Sequence, residues 1–111
     1  NAAVTSLLAN ARFDFLAELV RPCLPDDAKL VIASLQVDFL REMLYGQPVF
    51  TGTRVLTVGR ASLRMEQAIY QGELCTTHAS CVFVHVDGRT SSASPWPQAV
   101  QALAARETPA A

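Results

Sequence analysis

The 111-residue sequence predicts an α+β fold in which one long helix packs on an antiparallel sheet. Three observations carry this. Apolar residues recur at helical spacing near the start of the chain, the period falls to two from Lys29 onward, and glycine-bearing turns at Gly59-Arg60 and Gln71-Gly72 separate later segments closely enough for hairpins. A helix with one apolar stripe and no second long helix beside it needs a sheet to cover it.

The elements follow in order. Asn1 suits an N-cap, because its side chain can accept a hydrogen bond from a first-turn N–H. Val4, Leu8, Ala11, Phe15 and Leu19 form one helical face, widened by Leu7 and Leu16, with Arg12, Asp14 and Glu18 largely outside it. Pro22 and Pro25 end the helix and Asp26-Asp27 suit a turn. In KLVIASLQVDFL, Ala33, Leu35, Val37 and Phe39 alternate with Ser34, Gln36 and Asp38, as in a half-buried strand. VFTGTRVLTV and ASLRMEQAIY read as strands joined by a two-residue turn at Gly59-Arg60. That register sets Val58 opposite Ala61, Leu56 opposite Leu63 and Arg54 opposite Met65. One face then carries Leu56, Val58, Leu63, Met65 and Ile69, and the other Thr53, Thr57, Ser62, Arg64 and Glu66. ELCTTHASCVFVHV is the longest strand, DGRTSSASPWP a loop with Trp96 as an apolar anchor, and QAVQALAA a short closing helix. The strands are expected in meander-like succession, as one domain over residues 1–111.

Composition narrows the function. Half the residues are apolar, 17% are charged and the net charge is −1, which opposes nucleic-acid binding through a basic surface. No apolar run reaches the roughly 20 residues of a membrane-spanning helix. Three Cys in no regular framework fit a reducing compartment, so the expected location is cytoplasmic. Cys75, His78 and Cys81 do not make a metal site on a strand: the two Cys lie roughly 20 Å apart and His78 faces the other way. They are expected to be buried packing residues.

Five pieces of sequence in register, Val37-Asp38-Phe39-Leu40-Arg41, Tyr45-Gly46, Gly59-Arg60, Ala61-Ser62-Leu63 and Asp87-Gly88-Arg89, resemble the hotdog-fold acyl-CoA thioesterases of the 4-hydroxybenzoyl-CoA thioesterase type. The resemblance covers nearly the whole chain. It implies a hotdog fold, a long central helix wrapped by an antiparallel sheet. Asn1-Ala2, Leu8, Ala11 and Arg12 match the end of the family's Asp-x-x-Gly-His-Val-Asn-Asn motif and the helix that follows. On that match the domain is N-terminally incomplete, with a first strand and the catalytic Asp expected upstream of Asn1.

The chemistry implied is thioester hydrolysis. It needs a carboxylate, as base or nucleophile, and donors aimed at the carbonyl oxygen. By resemblance, the helix start at Asn1 and Ala2, with Ala3 and Val4, supplies those donors. Small residues at a buried helix start explain the same positions without catalysis. Where a second branch of the superfamily carries a helix Glu, this chain has Ala9. Arg60, Ser62 and Arg89 are implied to hold coenzyme A, with Val4 and Leu8 on the acyl group and Leu7 and Phe13 adding to an apolar pocket; a solvated turn Arg is the alternative. Arg64 and Glu66 read as a surface charge pair, and His85 as structural.

The sequence therefore points to an acyl-CoA (or acyl-carrier) thioester hydrolase with no cofactor beyond the coenzyme A of its substrate and no metal. The alternative is a non-catalytic hotdog protein that binds acyl thioesters or serves as a structural partner. A dehydratase lacks its His motif in the helix region. The expected assembly is a homodimer or dimer of dimers, because an apolar strand from Leu30 to Leu40 at a sheet edge needs covering.

Overall fold

The computed structural model describes residues 2–106. Helix α1 spans Ala2–Phe15 and continues without a break as a π-helical stretch, Leu16–Val20, and a 3-10 turn, Arg21–Cys23. Four strands follow, β1 (Lys29–Phe39), β2 (Phe50–Val58), β3 (Ser62–Gln71) and β4 (Leu74–Val86), then two short helices, α2 (Gln98–Gln101) and α3 (Leu103–Arg106). None of the described helices is long and apolar enough to cross a membrane.

The strands form one antiparallel sheet in the order β1-β4-β3-β2. Strands β2, β3 and β4 run as the expected meander, but β1 lies beside β4 and not beside β2. The Leu40–Val49 connection therefore has to cross the width of the sheet. This places β1 and β2 at the two edges.

The helix stripe is narrower than expected and includes a charge. Its buried residues are Val4, Leu8, Arg12, Leu16 and Val20, whereas Leu7, Ala11, Phe15 and Leu19 are only half-buried. A spacing of four drifts around a 3.6-residue helix, and the wider π turn at Leu16–Val20 keeps Val20 on the sheet side.

The β2–β3 turn differs from the two-residue hairpin. Val58 pairs with Leu63, and Gly59 N–H closes the loop on Ser62 O at 2.8 Å. Arg54 then pairs with Glu66 and Val55 with Met65, because Leu56 is an extra residue that shifts the register. Val55 rather than Leu56 enters the core, and Thr53 faces inward beside Gln67. The next turn is Gly72-Glu73, with Gly72 at φ 61°, which glycine adopts without strain.

Two apolar clusters fill the space between α1 and the sheet. One joins Leu16 and Val20 to Leu63, Met65, Phe83 and Trp96, and the other joins Val4 and Leu8 to Ile69 and Ala79. Between them lies a polar layer, where Arg12 Nη1 donates to Gln67 Oε1 at 3.1 Å and Gln67 Nε2 donates to Leu8 O at 3.0 Å. Helix α1 packs over β2 and the inner strands and leaves most of β1 bare. The expected half-burial of β1 is thus not met: Val31, Ile32, Leu35 and Phe39 are all exposed, the last at 57%.

Candidate active site

The start of α1 lies at one end of the sheet. Asn1 falls outside the described residues; Ala2 begins the helix, and Thr5 Oγ1 donates to Ala2 O at 3.0 Å. The N–H groups of Ala2 and Ala3 have no acceptor within a helix, so a first turn presents donors and the positive end of its dipole. A cavity of about 310 Å³ adjoins it, lined by Ala3, Val4, Leu7, Met43, Tyr45 and Gln71. A second, of about 420 Å³, lies between Val4, Phe39, Leu40, Arg41, Met43 and Thr77.

The Leu40–Val49 connection that walls both cavities is held by the sheet. Leu40 and Arg41 N–H donate to Thr76 O at 2.9 and 3.1 Å. The buried Gln71 amide pairs with the Leu44 backbone twice, accepting from its N–H at 2.8 Å and donating to its carbonyl at 2.9 Å. Val4 and Leu8, the expected acyl contacts, are core residues, 4% and 0% exposed, that also reach cavity walls. Phe13, expected to add to an apolar pocket, is 56% exposed and points away.

Arg60, Ser62 and Arg89 gather at the opposite end. Arg60 is exposed in the β2–β3 turn, where its carbonyl accepts from Trp96 N–H at 2.9 Å. Ser62 O accepts from Trp96 Nε1 at 2.8 Å, so the buried indole anchors the loop after β4, as expected, and does so on this turn. Trp96 stacks on His85 with ring centroids 4.9 Å apart, and His85 Nδ1 lies 3.2 Å from Pro95 O, a structural setting. Arg89 follows a compact turn in which Asp87 Oδ1 accepts from the N–H groups of Arg89, at 2.8 Å, and Thr90, at 3.4 Å. The Arg89 N–H bond is the main reason the Asp87 carboxyl sits below its ordinary pKa. Gly88 is required there: a Cβ would overlap the Asp27 carbonyl of the turn after α1.

Within one protomer the structure does not bring these two groups together. Ser62 is seven steps along β3 from Ile69 beneath the helix start, roughly 23 Å at 3.3 Å per residue. The strand direction supplies a way to join them. Strand β1 begins at Lys29 opposite Val86, near Arg89, and ends at Phe39 opposite Thr77, near the helix start. A second copy paired antiparallel along this edge would lay its Arg89 end beside the first copy's helix start.

Other residues singled out in the sequence lie away from both ends. Among the described residues no group of three or more His, Cys, Asp or Glu is placed to hold a metal ion. His78 is not a buried packing residue but pairs with Glu66 on the outer face, at 2.8 Å. Arg64 and Glu66 are not partners: Glu66 takes Arg54 at 2.6 Å, and Arg64 donates to Ser80 Oγ at 3.4 Å. Cys81 is buried, and desolvation holds its thiol above the ordinary pKa despite Arg12 nearby, which makes it a poor nucleophile. Asp14 on α1 and Glu18 on the π-helical stretch are exposed, more than two turns beyond the helix start.

The sequence matches the family described as the thioesterase-like superfamily over residues 1–103. No curated protein matches it. Among solved structures, a thioesterase from Thermus thermophilus, complexed with coenzyme A and zinc, is 30% identical, with a TM-score of 0.79 over 99% of this chain and 82% of that one. A predicted thioesterase from Bacillus stearothermophilus has 24% identity and a TM-score of 0.83 over 97% and 81%. A thioesterase-superfamily protein from a Jannaschia species has 28% identity and a TM-score of 0.80 over 95% and 69%. The helix and four-stranded antiparallel sheet described above are thus the hotdog arrangement.

Proposed function

The chain belongs to the thioesterase-like superfamily and is an enzyme of the thioesterase class; from that premise we propose that it hydrolyses acyl-coenzyme A (or acyl-carrier) thioesters as a homodimer, alone or within a dimer of dimers. The observation that carries this reading is the division of labour between the two ends of the sheet, together with the bare edge of β1 between them.

In this reading the thioester carbonyl lies at the helix start, where the N–H groups of Ala2 and Ala3 polarise it and stabilise the oxyanion as attack proceeds. The attacking group is a carboxylate, which the family resemblance makes an Asp, acting as base toward water or as nucleophile. Arg60 and Arg89 come from the partner copy and pair with the phosphates of coenzyme A, for which a guanidinium is well shaped. Ser62 positions the Arg60 turn through its carbonyl, and Val4 and Leu8 face the acyl group. The working location is the cytoplasm, where acyl-coenzyme A is made and used.

The test is thiol release from a panel of acyl-coenzyme A substrates, with calorimetry of coenzyme A binding. Replacing Arg60 and Arg89 by Ala should weaken binding by about 1–3 kcal/mol for each charge-assisted contact. Ala3→Pro removes one first-turn donor at a position where a helix tolerates proline. It should lower kcat by roughly 10²- to 10³-fold with little change in KM. A second reading, a non-catalytic binder of acyl thioesters, is favoured by Ala9, which leaves the second branch's carboxylate position empty. Tight binding without hydrolysis at any chain length would select it.

A further inference from the structure

On the β1 side of α1 lies a cavity of about 260 Å³, lined by Thr5, Ser6, Ala9, Arg12, Leu35 and Val37. Arg12 is only 5% exposed. Its Nη1 bonds to a neutral amide, Gln67 Oε1, and its Nε is buried with no hydrogen-bond partner among the described residues. The described ion pairs, both on Glu66, involve Arg54 and His78 and not Arg12.

A guanidinium stays charged even when buried, and burying it without an anion is costly. Pinning α1 to the sheet does not require that charge. Gln67 already does so by donating to Leu8 O. What a guanidinium adds is a planar fork of donors matched to a carboxylate.

We infer that this cavity receives the far end of the acyl group and that this end carries a carboxylate, which pairs with Arg12. The inference rests on the coenzyme A thioester reading above and names the substrate class within it. Leu35, Val37 and Ala9 provide an apolar passage for methylenes. The rise from Thr5 to Arg12 is about 10 Å, shortened because helix side chains lean toward the N-terminus. At roughly 30 Å³ for each water-sized group, the cavity holds about eight or nine non-hydrogen atoms. A short dicarboxylic acyl group fits both limits.

Calorimetry with two thioethers that cannot be hydrolysed tests this, S-carboxybutyl-coenzyme A against S-hexyl-coenzyme A. The carboxylate ligand should bind roughly 10- to 100-fold more tightly to the wild-type protein, and Arg12→Met should bring the two to parity. Circular dichroism checks that Arg12→Met is folded, and the wild-type comparison of the two thioethers needs no variant at all. Equal wild-type affinities, or a preference that survives in a folded Arg12→Met protein, overturn the inference and leave the thioester reading standing. If neither thioether binds, the coenzyme A reading fails and the inference falls with it.

Discussion

Glu66 ties three strands' worth of polar surface into one network. Its carboxylate meets Arg54 of β2 and His78 of β4 on the outer face of the sheet. The bond with His78 is the largest cause holding its pKa below the ordinary 4.5, with Arg54 adding to it and partial burial opposing both. A depressed folded-state value means the network stabilises fully above the unfolded pKa and loses that contribution as pH falls through the folded one. Glu66→Gln should therefore cost about 1 kcal/mol or less at neutral pH, since the pair is partly exposed. Urea unfolding of the two proteins should converge as the pH falls through the depressed Glu66 value, below the ordinary carboxyl range. The sequence shows that Arg64 and Glu66 share a face, but partner choice depends on register. Gln67 is missing from the inward face expected above, although the sequence carries its signal. It occupies the inward phase of Leu63, Met65 and Ile69, and a polar residue in that phase signals a buried partner.

At the scale of elements, the connection from β1 to β2 has the hardest task. It spans three strand spacings, roughly 14 Å, without secondary structure of its own. The Gln71 amide substitutes for a missing strand neighbour by pairing with both backbone groups of Leu44. Gln71→Ala should cost about 1–2 kcal/mol and leave two backbone groups unpaired. Limited proteolysis should then cut between Leu40 and Val49 faster than in the wild type, with the rest of the domain intact. The helix, all four strands and the closing turn around Trp96 are readable from periodicity and turn residues. Facing is not. Extra residues at Ala33, Leu56 and Thr76 each shift the pairing, and one such shift exchanges the two faces beyond it. The π turn does the same for a helix, which is why the buried stripe ends on Val20 and not on Leu19.

For the whole molecule, the decisive surface is β1. Val31, Ile32, Leu35 and Phe39 are each at least 42% exposed along one strand edge. Unpaired N–H and C=O groups flanked by such residues invite another strand. Light scattering at micromolar concentration should report a dimer, and Val31→Lys, which adds a charge of the kind that blunts natural edges, should shift it toward monomer. A wild-type monomer would remove the proposed assembly. The candidate site is legible as a set of residues through the family resemblance, but its division between the sheet's two ends is not. Spacing along a chain does not report on which end of a sheet a residue lies; strand order does.

That division has a genetic consequence. If the helix start and the arginine turns serve one site only across a two-fold axis, lesions at the two places damage different halves of each site. Ala3→Pro and the Arg60→Ala, Arg89→Ala double variant, each feeble alone, should complement one another when co-expressed. Random pairing makes half the dimers mixed, and each mixed dimer holds one site with both lesions and one with neither, so roughly a quarter of all sites are restored. Lesions confined to one protomer's own site would give no such recovery, because every site in a mixed dimer would then carry one of them.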